Sequence, residues 1–391
     1  MTQISRQRSI TAFFTLAIFA AVFANFAVAQ NFKEVYPGVE YARVSRVIDG
    51  KNVNFNLLRL DLNKVRLDVV HALDSAIGTE TTSSLAKRHN AVAAINAGFF
   101  RLDNSIFAGD AAGVLMINHR LLSESSKDRS ALFIANTPSE TSASFARITI
   151  GSSFRVGGKD FTFTGVNRER RADDLIEYTP EFNTTTLAVG KGLEIEVRDG
   201  RVRRIFDGSG GSKIPDDGYV ISATGKWRVA LLKAIRPESR VELFIGVSYY
   251  PRANEGFPNE LTRAKDRAFS AAEDVTNGVP RLIRDGKIDI TWKEEKASKD
   301  FVETRHPRTA VANLKDGKFL MLTADGRSEA SGGIDLYDLA DFLLELGAVD
   351  ALNLDGGGST TMVLDGKVVN HPSDKGGERK IGDALIVTLR K

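Results

Sequence analysis

The sequence has no cysteine among its 391 residues. Without thiols the chain can form neither disulfide bonds nor thiolate metal sites, and it cannot use a cysteine nucleophile. Histidine is scarce as well, and the five histidines show no ligand spacing such as H-x-x-x-H. We therefore expect no required cofactor, although aspartate oxygens could still hold a Ca²⁺ or Mg²⁺ ion.

The sequence also lacks an excess of charge of either sign. Lysine and arginine number 53 against 50 acidic residues, which gives a net charge of +3. Because no basic field marks a nucleic-acid partner, we exclude that class. Apolar content of 42% and charged content of 26% are ordinary for a globular protein.

Long apolar runs are missing after the N-terminus. There, Arg6 and Arg8 precede an almost wholly apolar stretch at residues 10–26, and small residues lead up to Ala29. This order is typical of a signal peptide spanning residues 1–29. An uncleaved anchor is the alternative, but the run is short for a membrane span. We expect an exported protein, periplasmic or secreted, with no membrane span after signal cleavage.

Strand patterns predominate in the remainder. Alternating residues indicate an N-terminal β-rich region at 30–90. Residues 91–391 are assigned to the main domain, with a β-rich insertion at about 150–250 where short strands alternate with turns. The clearest helix begins at Asp335 and ends at Gly347. The predicted fold class is α+β or mixed α/β: a mixed β-sheet core with few helices and a β-rich accessory region.

The stretch of residues 351–362 concentrates polar chemistry. A strand-like segment stops at an acid, and three glycines then permit backbone angles that leave N–H groups free to approach a ligand. Hydroxyl groups follow directly. The residues in question are Asp355, Gly356, Gly357, Gly358, Ser359 and Thr360. A hairpin turn is the alternative, since Gly-rich segments between strands are common.

Three further polar residues stand at the ends of predicted strands. Asn96 follows a buried strand, where α/β architectures keep their ligands, although its amide could equally satisfy a local turn. Arg308 offers a planar fork of donors for a phosphate or carboxylate, with a structural salt bridge as the alternative. Asp325 ends the strand before the clearest helix. If the strands that lead to Asp325 and Asp355 are parallel, both acids lie at one edge of a sheet.

Arginines also cluster away from these segments. Arg168, Arg170 and Arg171 follow a predicted strand at residues 161–164. Such a cluster could bind an anionic group. A solvated face is the interpretation we favour.

In their order along the chain, these segments resemble the phosphodiester glycosidase family, which includes many bacterial exopolysaccharide-related proteins. The likeness is strongest from about residue 302 to 374 and is at the level of motifs between 94 and 286. The matching segments are Asn96-Ala97-Gly98-Phe99-Phe100, Asn277-Gly278, Arg308-Thr309-Ala310-Val311, Ala324-Asp325-Gly326-Arg327, the Gly333 to Leu346 helix and Asn353-Leu354-Asp355-Gly356-Gly357-Gly358-Ser359.

The resemblance implies an enzyme that hydrolyses a carbohydrate phosphodiester, a sugar-1-phosphate ester. Cleavage at the anomeric bond would release the sugar and leave a phosphomonoester, with envelope or extracellular glycans as the expected substrates. It implies catalytic roles for Asp355, Asp325 and Arg308. Substrate-binding roles are implied for Asn96, Asn277, Gly278, Thr309, Arg327, Gly356, Gly357, Gly358, Ser359 and Thr360.

Two other functional classes stay open at this point. A metal-dependent phosphodiesterase would cleave the phosphorus–oxygen bond and would need clustered acidic or histidine ligands. A glycan-binding protein of exopolysaccharide assembly would use the same polar residues without catalysis.

Overall fold

The computed structural model describes residues 31–126, 128–249 and 270–390, in which β-sheets predominate. The expected signal peptide, residues 1–29, lies outside the described residues. The described helices are α1 (Thr82–Arg88), α2 (Gly225–Ala234), α3 (Lys299–Glu303) and α4 (Leu336–Glu345). None of these helices is long and apolar enough to cross a membrane. The expectation of a β-rich mixed fold with few helices is confirmed.

The largest sheet has eight strands. In spatial order they are β1 (Lys33–Tyr36), β2 (Val39–Ile48), β3 (Lys51–Leu60), β22 (Phe319–Ala324), β21 (Arg308–Leu314), β23 (Ala348–Asn353), β19 (Arg281–Arg284) and β20 (Lys287–Ile288). The first three strands come from the region at 30–90, which is therefore built into the same sheet as the motif-bearing strands.

Strands β22 and β23 run parallel to each other, as expected. Both pair antiparallel with β21, which lies between them, and helix α4 makes the connection. Asp335 caps α4 by accepting hydrogen bonds from two main-chain amides at 2.9 and 3.0 Å. Because Asp325 and Asp355 follow the two parallel strands, both leave the sheet at the same edge.

A five-stranded sheet packs against the first one. Its order is β25 (Lys367–Val368), β24 (Met362–Leu364), β6 (Ala93–Asn96), β27 (Asp383–Leu389) and β4 (Val65–His71). Leu352 and Val311 of the larger sheet share one buried apolar cluster with Ile95 and Leu385 of the smaller sheet. The outer faces are covered by α3 and α4 on the larger sheet and by α1 on the smaller sheet. The result is a two-sheet sandwich between helices.

The glycine segment crosses between these two sheets. The chain leaves β23 in the larger sheet, passes through residues 356–358 and enters β24 in the smaller one. Residues Gly357–Ser359 form a short 3₁₀ turn. The hairpin alternative is therefore wrong, because the strands on either side of the glycines belong to different sheets.

Two further sheets and a short ribbon complete the described fold. The first contains β11 (Lys159–Thr162), β10 (Thr141–Val156), β9 (Ser130–Asn136), β18 (Asp274–Gly278), β7 (Leu115–Ile117) and β8 (Arg120–Ser123), with β17 (Val241–Tyr249) beside β10. The second contains β12 (Gly165–Val166), β13 (Leu175–Tyr178), β16 (Gly218–Ala223), β14 (Gly192–Arg198) and β15 (Arg201–Ser209). This last sheet lies within the predicted insertion at 150–250 and shares an apolar cluster with α2, β10 and β11. A short ribbon pairs β5 (Glu80–Thr81) with β26 (Lys380–Ile381).

Candidate active site

Asp355 lies where the chain leaves β23, beside the end of β6. Its main-chain N–H donates to the carbonyl oxygen of Ala97 at 2.9 Å, and its carboxylate accepts from the Gly356 N–H at 2.9 Å. Burial raises the pKa of the Asp355 carboxyl to about 6, although the Ser359 hydroxyl and the Gly356 amide favour the charged form. Such a carboxyl is mostly ionised at neutral pH yet can accept a proton there, which suits a general base.

Asn96 joins the two sheets at this point. Its side chain is buried, and Oδ1 accepts from Thr309 Oγ1 at 2.8 Å and from the Thr361 N–H at 3.1 Å. Its Nδ2 donates to the main-chain oxygen of Asp355 at 2.6 Å. Asn96 therefore positions Asp355, and its amide serves groups from distant parts of the chain, not a local turn.

Asp325 is the second carboxyl group at this edge, and it is only 2% exposed. Its Oδ1 accepts from the His371 N–H at 2.9 Å and from Asn370 Nδ2 at 3.3 Å. Its Oδ2 has no hydrogen-bond partner among the described residues. Burial raises the pKa of this carboxyl, and the two donors oppose that shift. A buried carboxylate oxygen without a partner is open to a ligand or a proton.

One hydrogen-bonded network links the carboxylate of Asp325 with Asp355, which takes part through its main-chain oxygen. Asn370 Nδ2, which contacts Asp325, also donates to the main-chain oxygen of Thr360 at 3.0 Å. Thr309 Oγ1 lies 3.4 Å from Thr360 Oγ1. The network thus runs through Asp325, Asn370, Thr360, Thr309, Asn96 and Asp355. Because its members come from five different strands or loops, their relative positions are fixed by the packing of the two sheets.

Arg308 lies behind this network and is 1% exposed. Its guanidinium donates to three main-chain carbonyl oxygens: from Nε to Ile334 at 3.2 Å, and from Nη2 to Phe301 at 2.7 Å and Thr304 at 2.8 Å. Burial lowers the pKa of Arg308 to about 10, so the group stays cationic at neutral pH. These acceptors are neutral, so the salt-bridge alternative does not describe it.

Arginines line both sides of the glycine segment. The exposed Arg327 packs on Gly357, where an added Cβ would lie 3.0 Å from Nη2. Arg379 lies over Gly358, where an added Cβ would lie 2.1 Å from its Nη2. Arg379 also pairs with Asp374 through two hydrogen bonds of 2.8 and 3.0 Å. A side chain at either position would displace an arginine, and Gly357 also has a φ of +62°, which favours glycine.

Two amides of the glycine segment do not meet the expectation of N–H groups that are free to approach a ligand. The Gly356 N–H donates to the Asp355 carboxylate, and the Gly357 N–H donates to the Pro307 carbonyl oxygen at 2.8 Å. These two N–H groups are therefore not free to approach a ligand. Ser359 and Thr360 follow in the same turn, and both are buried.

Asn277 and Gly278 lie on β18, in a different sheet. The Asn277 Oδ1 accepts from the Phe99 N–H at 3.3 Å, and its Nδ2 lies 3.5 Å from the Val114 oxygen. Gly278 packs on β23 of the largest sheet, since an added Cβ would lie 2.6 Å from the Asn353 oxygen. Asn277 therefore borders the site from the side of the Asn96–Phe100 segment.

Two charged residues of the site were missed by sequence reasoning. Asp383, 2% exposed at the start of β27, accepts from Thr276 Oγ1 at 2.7 Å through its Oδ2. Burial raises its pKa to about 6, and its charge contributes to the raised pKa of Asp355. Arg379 is the other. Arg379 directly precedes β26, and Asp383 begins β27. The sequence around them carries no catalytic signature, so only their neighbours in the folded protein identify them.

One group of three acidic side chains among the described residues is close enough to hold a metal ion. It consists of Asp49, Asp335 and Asp338. Neither Asp325 nor Asp355 belongs to it. Asp335 already caps α4, and Arg305 pairs with both Asp338 and Asp49, at 3.1 and 3.7 Å.

Comparison with known proteins agrees with the family resemblance that the order of the motifs indicates. The family model described as phosphodiester glycosidase matches residues 191–388, about half of the chain. Over 109 residues the chain is 39% identical to human N-acetylglucosamine-1-phosphodiester alpha-N-acetylglucosaminidase, a match that covers 26% of this chain and 21% of the human protein. Over 111 residues it is 40% identical to a protein of the SPbeta prophage of Bacillus subtilis, covering 27% and 16% of the two chains.

A solved structure agrees with the fold. A hypothetical protein from Synechocystis has a TM-score of 0.75 and 21% identity, and the match covers 92% of this chain and 63% of that chain. At this identity the similarity concerns the fold alone. The matched part spans about a fifth of the human protein, and Asn96 lies upstream of the residues that the family model matches.

Proposed function

We propose, since this chain belongs to the phosphodiester glycosidase family, that it hydrolyses a sugar-1-phosphodiester at the anomeric bond. The products would be the free sugar and a phosphomonoester. One observation carries the proposal: two acidic residues, Asp355 and the buried Asp325, are linked by one hydrogen-bonded network at the edge where parallel strands end.

We assign the attack at the anomeric centre to Asp355, as nucleophile or as the base that activates water. Cleavage there develops oxocarbenium character, which a nearby carboxylate stabilises. A pKa of about 6 leaves Asp355 charged at neutral pH. Asp325 is the second carboxyl group, and its buried Oδ2 has no hydrogen-bond partner among the described residues. A phosphate ester is a good leaving group, so a strong general acid is not needed.

The phosphodiester itself is an anion, so its binding requires positive charge. Arg327 is the exposed cation beside Gly357, and we assign it the direct contact with phosphate. We assign Arg308 an electrostatic contribution to phosphate binding without direct contact. Its guanidinium stays cationic, and its hydrogen-bond acceptors are neutral carbonyl oxygens that leave its charge uncancelled. Asn277 and Thr360 are assigned to sugar or phosphate oxygens.

We also propose that no metal is required and that the substrate is an envelope or extracellular glycan. The first follows from a mechanism in which two carboxyl groups and arginines supply the chemistry. The second rests on the expected signal peptide at residues 1–29. Activity that survives EDTA would support the first point, and loss of activity in EDTA with recovery on adding Ca²⁺ or Mg²⁺ would contradict it.

The assignment of Asp355 is tested by the Asp355→Asn variant on methyl N-acetylglucosamine-1-phosphate. General acid–base groups contribute about 10²–10⁴-fold, so kcat should fall by at least about a hundredfold. The matched control is Asp199→Asn, the same chemical change in an exposed turn. Full activity in Asp355→Asn, with the wild-type circular dichroism spectrum, would remove Asp355 from the mechanism.

A further inference from the structure

A cavity, which we call the polar cleft, begins directly after the Asn96–Phe100 segment. It has a volume of about 660 Å³, and six charged residues line it: Arg101, Asp110, Glu124, Arg168, Glu169 and Arg171. The rest of its lining consists of alanine, glycine, serine and threonine. A cleft of this size accommodates a small ligand, and its mostly polar walls favour a polar one.

Most of the charged groups in the polar cleft are committed to one another. Arg168 donates to Glu124 at 3.1 Å and to both carboxylate oxygens of Asp174 at 2.9 and 3.1 Å. Arg101 donates to Glu169 at 2.7 Å. The solvated-face interpretation is therefore wrong for Arg168. It is also wrong for Arg170, whose side chain is 1% exposed, whereas Arg171 is exposed as that interpretation expects.

Two charged side chains of the cleft are uncommitted. Among the described residues, neither the carboxylate of Asp110 nor the guanidinium of Arg171 has a hydrogen-bond or ion-pair partner. Burial and the charge of Glu124 raise the pKa of Asp110 to about 7, although the charges of Arg168, Arg101 and Arg171 oppose the shift. A partly buried carboxyl without a partner is costly for a fold to keep, and a ligand that donates to it removes the cost.

The polar cleft adjoins the candidate active site through Asn277. Gly113 lines the cleft at a φ of +155°, and an added Cβ there would lie 2.9 Å from the Asn277 side chain. On its other side Asn277 contacts Gly98, where an added Cβ would lie 2.8 Å from Nδ2 and 3.1 Å from an oxygen of Asp383. Asn277 thus lies between Gly113 of the cleft and Gly98, which is beside the carboxyl group that influences Asp355.

We propose that the polar cleft binds a hydroxyl-rich group, a sugar or polyol, on the far side of the substrate's phosphate. Hydroxyl groups both donate and accept, so they match an acceptor at Asp110 and a donor at Arg171. The cleft then selects the alcohol that leaves with the phosphate. This inference rests on the proposed function, because it assigns a position to the second half of the same substrate.

Two substrates that differ only in that alcohol test the proposal: the methyl ester and the glycerol ester of N-acetylglucosamine-1-phosphate. The wild-type protein should prefer the glycerol ester in kcat/KM. Asp110→Asn and Arg171→Gln should each reduce the ratio of the two kcat/KM values about tenfold, chiefly through KM for the glycerol ester. The control Asp199→Asn should keep the wild-type ratio. An unchanged ratio in both cleft variants would overturn the proposal while leaving the hydrolysis intact.

A binding measurement separates failure of this inference from failure of the proposed function. If neither ester is hydrolysed, calorimetric titration compares glycerol 3-phosphate with methyl phosphate, which carries the same charged group without the hydroxyls. Glycerol 3-phosphate should bind more tightly than methyl phosphate, and its affinity should be about tenfold lower in Asp110→Asn. This result would support the proposed role of the cleft even without turnover. Equal affinity for the two probes, or no effect of the variant, would overturn it.

Discussion

The side chain of Asn96 is the contact whose removal tests the site architecture best. In Asn96→Ala, the Thr361 N–H loses its acceptor and the Asp355 carbonyl oxygen loses its donor. Leaving a buried polar group unsatisfied costs about 1–3 kcal/mol, so two such main-chain groups give a loss of about 4 kcal/mol in unfolding free energy. That is a large share of the roughly 5–15 kcal/mol that stabilises a typical protein.

The loss can be measured by urea denaturation followed through the fluorescence of the two tryptophans. The midpoint should fall while the slope stays constant, because the surface exposed on unfolding is unchanged. Asn63→Ala is the matched control: Asn63 is exposed, and the change should stay within about 0.5 kcal/mol. A loss below about 1 kcal/mol in Asn96→Ala would refute the role of Asn96 as the connection between the sheets.

Three further outcomes follow from the same geometry. In Gly358→Ala the new methyl group would lie 2.1 Å from Arg379 Nη2, so kcat/KM on a sugar phosphodiester should fall at least about tenfold. In the control Gly376→Ala the new methyl group meets no atom within 4 Å, so kcat/KM should equal that of wild type. Equal kcat/KM in Gly358→Ala and Gly376→Ala would contradict the predicted crowding at Gly358. With the pKa of Asp355 at about 6, kcat/KM should rise as pH increases through about 6, and a flat profile from about pH 5 to 7 would exclude it as the base. Burial raises the pKa of Glu177 from 4.5 to about 7, so its contribution to stability is complete below about pH 4.5 and lost as pH rises through about 7. Glu177→Gln should flatten that dependence in urea titrations at pH 4 and 8, by up to about 3 kcal/mol, and an unaltered pH dependence would contradict it.

The parts of the fold that follow from local pattern could be predicted. Helix α4 was recognisable because its cap, Asp335, and its apolar stripe lie within a dozen residues. The parallel course of β22 and β23 followed from that helix, since a strand that returns over a helix runs in the original direction. Asp325 and Asp355 were placed at one sheet edge for that reason.

The crossing at the glycines could not be predicted from local pattern. Three glycines after a strand permit a hairpin as readily as a crossing between sheets. What decides is the pairing of β24 with β6, more than 260 residues earlier in the chain. The space for Arg327 and Arg379 over Gly357 and Gly358 likewise exists only in the folded sandwich.

The electrostatics of the site depended even more on long-range packing. The sequence offered a salt bridge or an anion contact for Arg308, whereas its donors are held by three neutral carbonyl oxygens. Asp383 gave no signal because an aspartate at the start of a strand is ordinary. Only its burial against Thr276 and its influence on Asp355 mark it as part of the site.

The central claim, cleavage at the anomeric carbon, is tested most directly by isotope labelling. Purified protein is incubated with methyl N-acetylglucosamine-1-phosphate in ¹⁸O water, with and without EDTA, and both products are examined by mass spectrometry. The mechanism assigned to Asp355 predicts ¹⁸O in the released sugar, none in the phosphate, and the same result in EDTA. Label in the phosphate would show attack at phosphorus and contradict the account.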